Sequence, residues 1–327
     1  MIKALEVKNF KSIKYLKLDC KRANIFIGKP NAGKSNLLES VGLFSMPFVN
    51  EKLKDLIRLE NMTNLFYDHE INEKIEIIAD DSVCEIKFIN GNYKFIQTNK
   101  ISDFYHEVDF SFKGEGHVQN DKRKGDYRSL PFKFYRFASK DSFYNWQPEF
   151  LFPPAGDNLM HLLYTNKSLR KSLADLFNEF GLRIVLKPQE NKIEVQKEVD
   201  DVIVAFPYSL VSDTLQRVVF HAAAIETNKN STLVFEEPDA YAFPYYTKFL
   251  AERIALDESN QYFVATHNPY FLLSALGKTS KDDINIFIVY LKDYQTKVRA
   301  ITEDEMSEVL DLDASIFFNL DRFLGEQ

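Results

Sequence analysis

An apolar strand, Ala23 to Ile27, runs into Gly28-Lys29-Pro30-Asn31-Ala32-Gly33-Lys34-Ser35-Asn36, and the chain continues as Leu37-Leu38-Glu39-Ser40-Val41, a helical pattern. No other feature limits the fold so tightly. A strand that turns through glycines into a helix aims backbone N–H groups and the positive end of the helix dipole at one point, which is a place for an anion. Gly28 and Gly33 adopt backbone conformations that a Cβ resists, so the loop, with Asn31, Ala32 and Asn36, can wrap a polyphosphate. The pattern assigns Lys34 to the β- and γ-phosphates and the Ser35 hydroxyl to Mg2+. ATP or GTP is the expected ligand.

Composition narrows the setting. With 327 residues, 45% of them hydrophobic, the chain can form one large or two ordinary domains. It has no run of about 18 uncharged apolar residues, and the start, Met1 to Glu6, lacks the pattern of a signal peptide. The expectation is a cytoplasmic protein with no membrane segment. Cys20 and Cys84 sit in strand-like segments, which argues against a disulfide framework or a cysteine metal centre. A net charge of −7 argues against a generally basic surface, yet a local positive groove leaves DNA open as a partner. The many Phe and Tyr residues are scattered rather than clustered with Arg and Lys, so they are assigned to core and sheet surfaces.

Along the chain, alternating strands at Ile2–Phe10 and Ile13–Asp19 precede the buried one. Further strands are expected at Lys74–Ile78, Val83–Ile89, Tyr93–Ile96 and Val108–Phe112, with an Asn90-Gly91-Asn92 hairpin turn. The polar stretch from Lys113 to Asp126 reads as a mobile loop whose basic triplet Lys122-Arg123-Lys124 could meet phosphate. A strand at Phe132–Phe137, a helical segment from Leu159 to Phe180, and short strands at Arg183–Leu186 and Lys192–Val195 follow. From Pro207 helices and strands alternate, which implies a mostly parallel sheet with helices packed on it. The fold class is therefore α/β. Residues 1–52 and 205–327 are read as the two parts of one nucleotide-binding core, and 53–204 as an inserted antiparallel-β and helical lobe.

Two later strands carry chemistry. Leu233-Val234-Phe235 ends in Glu236-Glu237, where a nucleotide hydrolase needs one acid for the metal and one for the attacking water. Glu236 is assigned to Mg2+ and Glu237 to the water. Ala265-Thr266 ends in His267, and ligand sites of open α/β sheets gather at such carboxyl ends. His267 is placed to donate to a γ-phosphate oxygen or to the water. Glu237, His267 and Lys34 are the expected catalytic groups, with Ser35 and Glu236 expected at the metal.

This ordered set resembles the ABC-type ATPase head, in the branch with SMC, RecF and OLD-type proteins, and more narrowly the stand-alone prokaryotic ATPases with an AAA-type core. Asn9-Phe10-Lys11-Ser12-Ile13 matches the opening strand of that branch, whose turn lies near the adenine, so the resemblance adds Lys11 and Ser12 to the nucleotide site. Glu236-Glu237-Pro238-Asp239 resembles an EEPE stretch, with Asp239 in place of Glu and Tyr241 in place of a frequent His, and the resemblance adds Asp239 to the nucleotide-binding residues. Ser209 to Arg217 falls where the family has its signature, without the signature glycines; the resemblance implies that Ser212 and its helix N-terminus bind the γ-phosphate held by an opposite subunit. Gln147 is the candidate for a Mg2+-sensing glutamine.

The resemblance implies an ATPase that dimerises around ATP and Mg2+ and drives or gates a separate nuclease or effector in DNA repair or anti-phage defence. The alternative is an ATP-gated scaffold with little turnover that restrains a partner protein. A transporter subunit fits poorly, because the transporter signature is missing.

Overall fold

A computed structural model describes residues 1–49, 51–111, 115–144 and 148–325. Strands β1 (Ala4–Phe10) and β2 (Ile13–Asp19) form a hairpin, β3 (Ala23–Ile27) enters the phosphate loop, and α1 (Lys34–Gly42) leaves it. An antiparallel run follows: β4 (Ile75–Ala79), β5 (Ser82–Ile89), β6 (Asn92–Asn99), β7 (Phe104–Phe110) and β8 (Val118–Lys124). Then come β9 (Phe132–Tyr135), α2 (Leu159–Thr165), α3 (Lys167–Asn178), β10 (Arg183–Lys187), β11 (Lys192–Val199) and β12 (Val202–Pro207). The last stretch comprises α4 (Asp213–Thr227), β13 (Thr232–Glu236), α5 (Pro244–Leu256), β14 (Gln261–Ala265), α6 (Pro269–Leu276), β15 (Ile284–Lys292), β16 (Gln295–Ala300) and α7 (Glu303–Leu312).

Among the described residues these strands make three sheets, and the central one has the order β16-β15-β3-β14-β13-β9. Strands β15, β3, β14, β13 and β9 run parallel, with β16 antiparallel at the edge. A parallel sheet is buried on both faces, and β3 shows this directly. Ala23, Ile25 and Ile27 face a core shared with α4, α5 and α6, whereas Phe26 faces a second core with α1 and the antiparallel sheet. Phe26 stacks on Phe287 and Phe263 of the flanking strands at 5.1 and 6.1 Å. The fold is an α/β core of the P-loop NTPase type, with the phosphate loop between β3 and α1.

Four segments differ from the sequence reading. Val118–Lys124 is a strand on the edge of the antiparallel sheet β2-β1-β4-β5-β6-β7-β8. Lys122 pairs with Glu107 across the strands, Lys124 with Asp103, and Arg123 with Asp121, so carboxylates neutralise the basic triplet. Phe132–Tyr135, expected within the inserted lobe, pairs with β13 in the central sheet. The helical segment breaks at Asn166, whose side chain accepts from Leu169 N and caps α3. Strand β12 joins β11 through Asp200 and Asp201, both at positive φ, so an Asp-Asp pair makes the hairpin turn that glycine usually supplies. Phe112, Lys113, Gly114 and Gln147 lie outside the described residues.

Candidate nucleotide site

The loop is built by close approach. A Cβ on Gly28 (φ 154°) would lie 2.2 Å from the Val289 carbonyl oxygen of β15, and one on Gly33 (φ 100°) 1.9 Å from Thr296 Oγ1 of β16. Gly33 is the N-cap of α1 and supplies no side-chain acceptor, so no side-chain cap satisfies the first-turn N–H groups of that helix. These groups, on Lys34, Ser35 and Asn36, are what an anion needs. Asn31 adopts a left-handed φ of 61° at the loop's tip. Lys34 is folded back, with Nζ donating to the carbonyls of Gly28 at 2.9 Å and Lys29 at 3.0 Å. Burial lowers its pKa to about 8 against the opposing pull of Glu237. A polyphosphate in the loop would supply the counter-charge that this lysine lacks.

A chain of hydrogen bonds braces the loop from behind. Asn36 Nδ2 donates to Ser12 Oγ at 2.7 Å, Ser12 and Thr296 share a bond of 2.7 Å, and Thr296 Oγ1 donates to the Ala32 carbonyl at 3.1 Å. Ser12 thus ties the β1–β2 turn to α1. Beside it Lys11, at φ 50°, donates from Nζ to Glu39 Oε2 at 2.5 Å and to the Arg58 carbonyl at 2.6 Å. Glu39 also accepts from Arg58 Nε at 2.8 Å, and Arg58 Nη2 lies 3.3 Å from Glu236 Oε1. Lys11, Ser12, Arg58, Tyr67, Arg136 and Tyr294 are among the residues that line a solvent-open cavity of about 820 Å³.

The acids arrive from the carboxyl ends of neighbouring strands. Glu236 closes β13 opposite Ala265 of β14. Glu237 sits at φ 46°, with its N–H bonded to the Ala265 carbonyl at 3.0 Å, a backbone conformation that a non-glycine residue adopts at a cost. That turn brings Glu237 Oε1 to 3.5 Å from His267 Nε2. Burial lowers the His267 pKa, Lys34 lowers it further, and Glu237 opposes both. Lys34, Glu237 and His267 therefore feel one another's charge, and the neutral imidazole is the favoured form. Asp239 faces inward. Its Oδ2 accepts from Thr266 Oγ1 at 3.0 Å, and Thr266 Oγ1 accepts from Asn268 N at 2.9 Å, which fixes the turn that carries His267. Burial raises the Asp239 pKa to about 6.

Ser212 is the N-cap of α4 and accepts from Leu215 N at 3.3 Å. Asp213 behind it pairs with Arg217 at 2.6 Å, and Thr214 Oγ1 donates to the Tyr241 carbonyl at 2.7 Å. Among the described residues no hydrogen bond joins Ser212 to the phosphate loop of its own chain. No group of three or more His, Cys, Asp or Glu among them forms a ready metal cage. The Ser35 hydroxyl and the Glu236 carboxylate are hard oxygen donors of the kind that Mg2+ accepts together with nucleotide oxygens and water.

Glu39, Arg58 and Thr296 were not singled out in the sequence. Glu39 carried a signal, being a lone acid inside the apolar run Leu37-Leu38-Glu39-Ser40-Val41. Arg58 carried none, because the segment around it is irregular.

A family model described as "AAA domain, putative AbiEii toxin, Type IV TA system" matches residues 90–274, more than half of the chain. That span holds Ser212, Glu236, Glu237 and His267 and begins after the phosphate loop. An "ATP/GTP phosphatase" of Helicobacter pylori (strain ATCC 700392 / 26695) is 24% identical over 355 aligned positions, covering 93% of each chain. Among solved structures, an SMC head bound to the C-terminal winged-helix domain of ScpA superposes with a TM-score of 0.57 at 14% identity, over 94% of this chain and 99% of the other.

Proposed function

The chain belongs to this AAA-domain family and is an ATPase with an SMC/RecF-like ABC-type core, and from that premise we propose that it dimerises around two ATP·Mg2+ and uses the cycle to drive or gate a separate protein. The observation that carries the proposal is the meeting of Lys34, Glu237 and His267 beside an α1 N-terminus with no side-chain cap. In this reading the loop residues from Gly28 to Asn36 hold the phosphates and Lys11 and Ser12 flank the nucleotide. Ser35 and Glu236 would hold the metal, which would offset charge on the β- and γ-phosphate oxygens.

The chain's own groups then do the rest. Lys34 leaves the Gly28 and Lys29 carbonyls for the phosphates, Glu237 orients and polarises the attacking water, and neutral His267 donates to the phosphoryl group or the water. Ser212 completes the site across the dimer, which its lack of a bond to its own loop supports. Asp239, expected among the nucleotide-binding residues, is read instead as a brace beneath His267, because it is buried and accepts from Thr266 Oγ1. We also read 1–52 and 205–327 as the core and 53–204 as an addition that lends it one strand.

The partner is a nuclease or effector in anti-phage defence or DNA repair. The toxin–antitoxin wording of the family description supports the effector, and the SMC neighbour's complex with ScpA supports a head that binds another protein. No helix of the described residues is long and apolar enough to cross a membrane, which suits the cytoplasmic location that this reading assumes. Light scattering of Glu237→Gln with ATP and Mg2+ tests the dimer: doubling of mass is expected, and a monomer at micromolar concentration overturns it. A scaffold with little turnover is favoured by one observation, the absence of the signature glycines between Ser209 and Arg217; hydrolysis by the wild type no faster than by Glu237→Gln would establish it.

A further inference from the structure

Glu39 has no part in the chemistry above, yet it is the most heavily engaged acid near the site. Its side chain is 1% exposed on α1, so it cannot touch a ligand in the cavity. Its two oxygens take Lys11 Nζ at 2.5 Å, Arg58 Nε at 2.8 Å and the Arg58 backbone N–H at 3.1 Å. A carboxylate at this depth persists only when cations and donors surround it, and here they arrive from two segments far apart in sequence.

Arg58 then reaches outward. Its guanidinium is half-exposed, and Nη2 stands 3.3 Å from Glu236 Oε1. A guanidinium presents five donors in a rigid fork, so it can change its outer partner without releasing Nε from Glu39. Glu236 needs one counter-charge, and an arginine and a divalent cation compete to provide it.

We propose that Glu39 is a positioning residue that holds Arg58 against Glu236, so that Arg58 is the counter-ion of Glu236 until a metal–nucleotide complex takes its place. This rests on the reading of Glu236 as the metal's carboxylate. Arg58 then swings toward the cavity that it lines with Lys11 and Arg136, still tethered to Glu39.

The test is a Mg2+ titration of the full chain with a fluorescent, non-hydrolysable ATP analogue, which reads the Mg2+ concentration at half-maximal binding. Removing the competitor with Arg58→Gln lowers that concentration by about three- to tenfold. Glu39→Gln lowers it in the same direction, and the double variant matches Arg58→Gln alone. A packing role for Glu39 would lower Tm and leave the half-point in place. The proposal is overturned if Arg58→Gln leaves the half-point unchanged or raises it, or if Glu39→Gln does not follow Arg58→Gln. Glu236→Gln separates the underlying reading: a half-point equal to the wild type's shows that Glu236 is not the metal's carboxylate.

Discussion

Helices α1 and α4 both begin where a phosphate is expected, and they are finished differently. The N-cap of α1 is Gly33, which offers no acceptor, and no acid sits in its first turn. The N-cap of α4 is Ser212, which already accepts from Leu215 N, and Asp213 follows it. The first terminus waits for an anion, while the second is partly satisfied and carries a negative charge engaged by Arg217. In the proposed dimer one end binds phosphate within the chain, and the other reaches across with the O–H that Ser212 keeps free to donate while its oxygen accepts from Leu215 N at 3.3 Å.

Substitutions break this contrast in descending order of effect. Lys34→Met removes the cation of the ready terminus and should lower ATP hydrolysis by about a thousandfold, with weaker nucleotide binding, in a phosphate-release assay. Glu237→Gln leaves α1 intact and should lower kcat by about a hundredfold while fluorescence titration still shows binding. Ser212→Ala acts on the other terminus: calorimetry should show a loss of about 1 kcal/mol of stability from the missing cap, and light scattering should show loss of ATP-dependent assembly, while nucleotide binding by the monomer persists. An unchanged assembly would erase the contrast.

The smallest effect concerns the brace. The pKa of Asp239 rises from the carboxylate's ordinary 3.8 to about 6 on folding, so the folded state favours its protonated form. The stability it contributes is present in full below pH 3.8 and is lost as pH rises through about 6. Asp239→Asn should therefore raise Tm by a few degrees near pH 8 and change it little near pH 4.

The phosphate loop and the two acids were legible because each ends a short buried strand, a pattern that needs no distant partner to be recognised. His267 was legible for the same reason. The brace behind the loop was not, because Ser12, Asn36 and Thr296 meet only once β16 lies beside the β1–β2 turn. The basic triplet at Lys122 read as a free loop because its neutralising carboxylates come from the β6–β7 hairpin, at Asp103 and Glu107, and from Asp121 in its own strand. Tertiary pairing decides both.

In the proposed dimer one chain supplies the loop and the acids while a second supplies Ser212. Specific ATPase activity measured against protein concentration tests it most directly. Activity per chain should rise with concentration and then level off as the dimer fills. Activity per chain that stays constant down to the lowest measurable concentration, with the protein monomeric throughout, would contradict it.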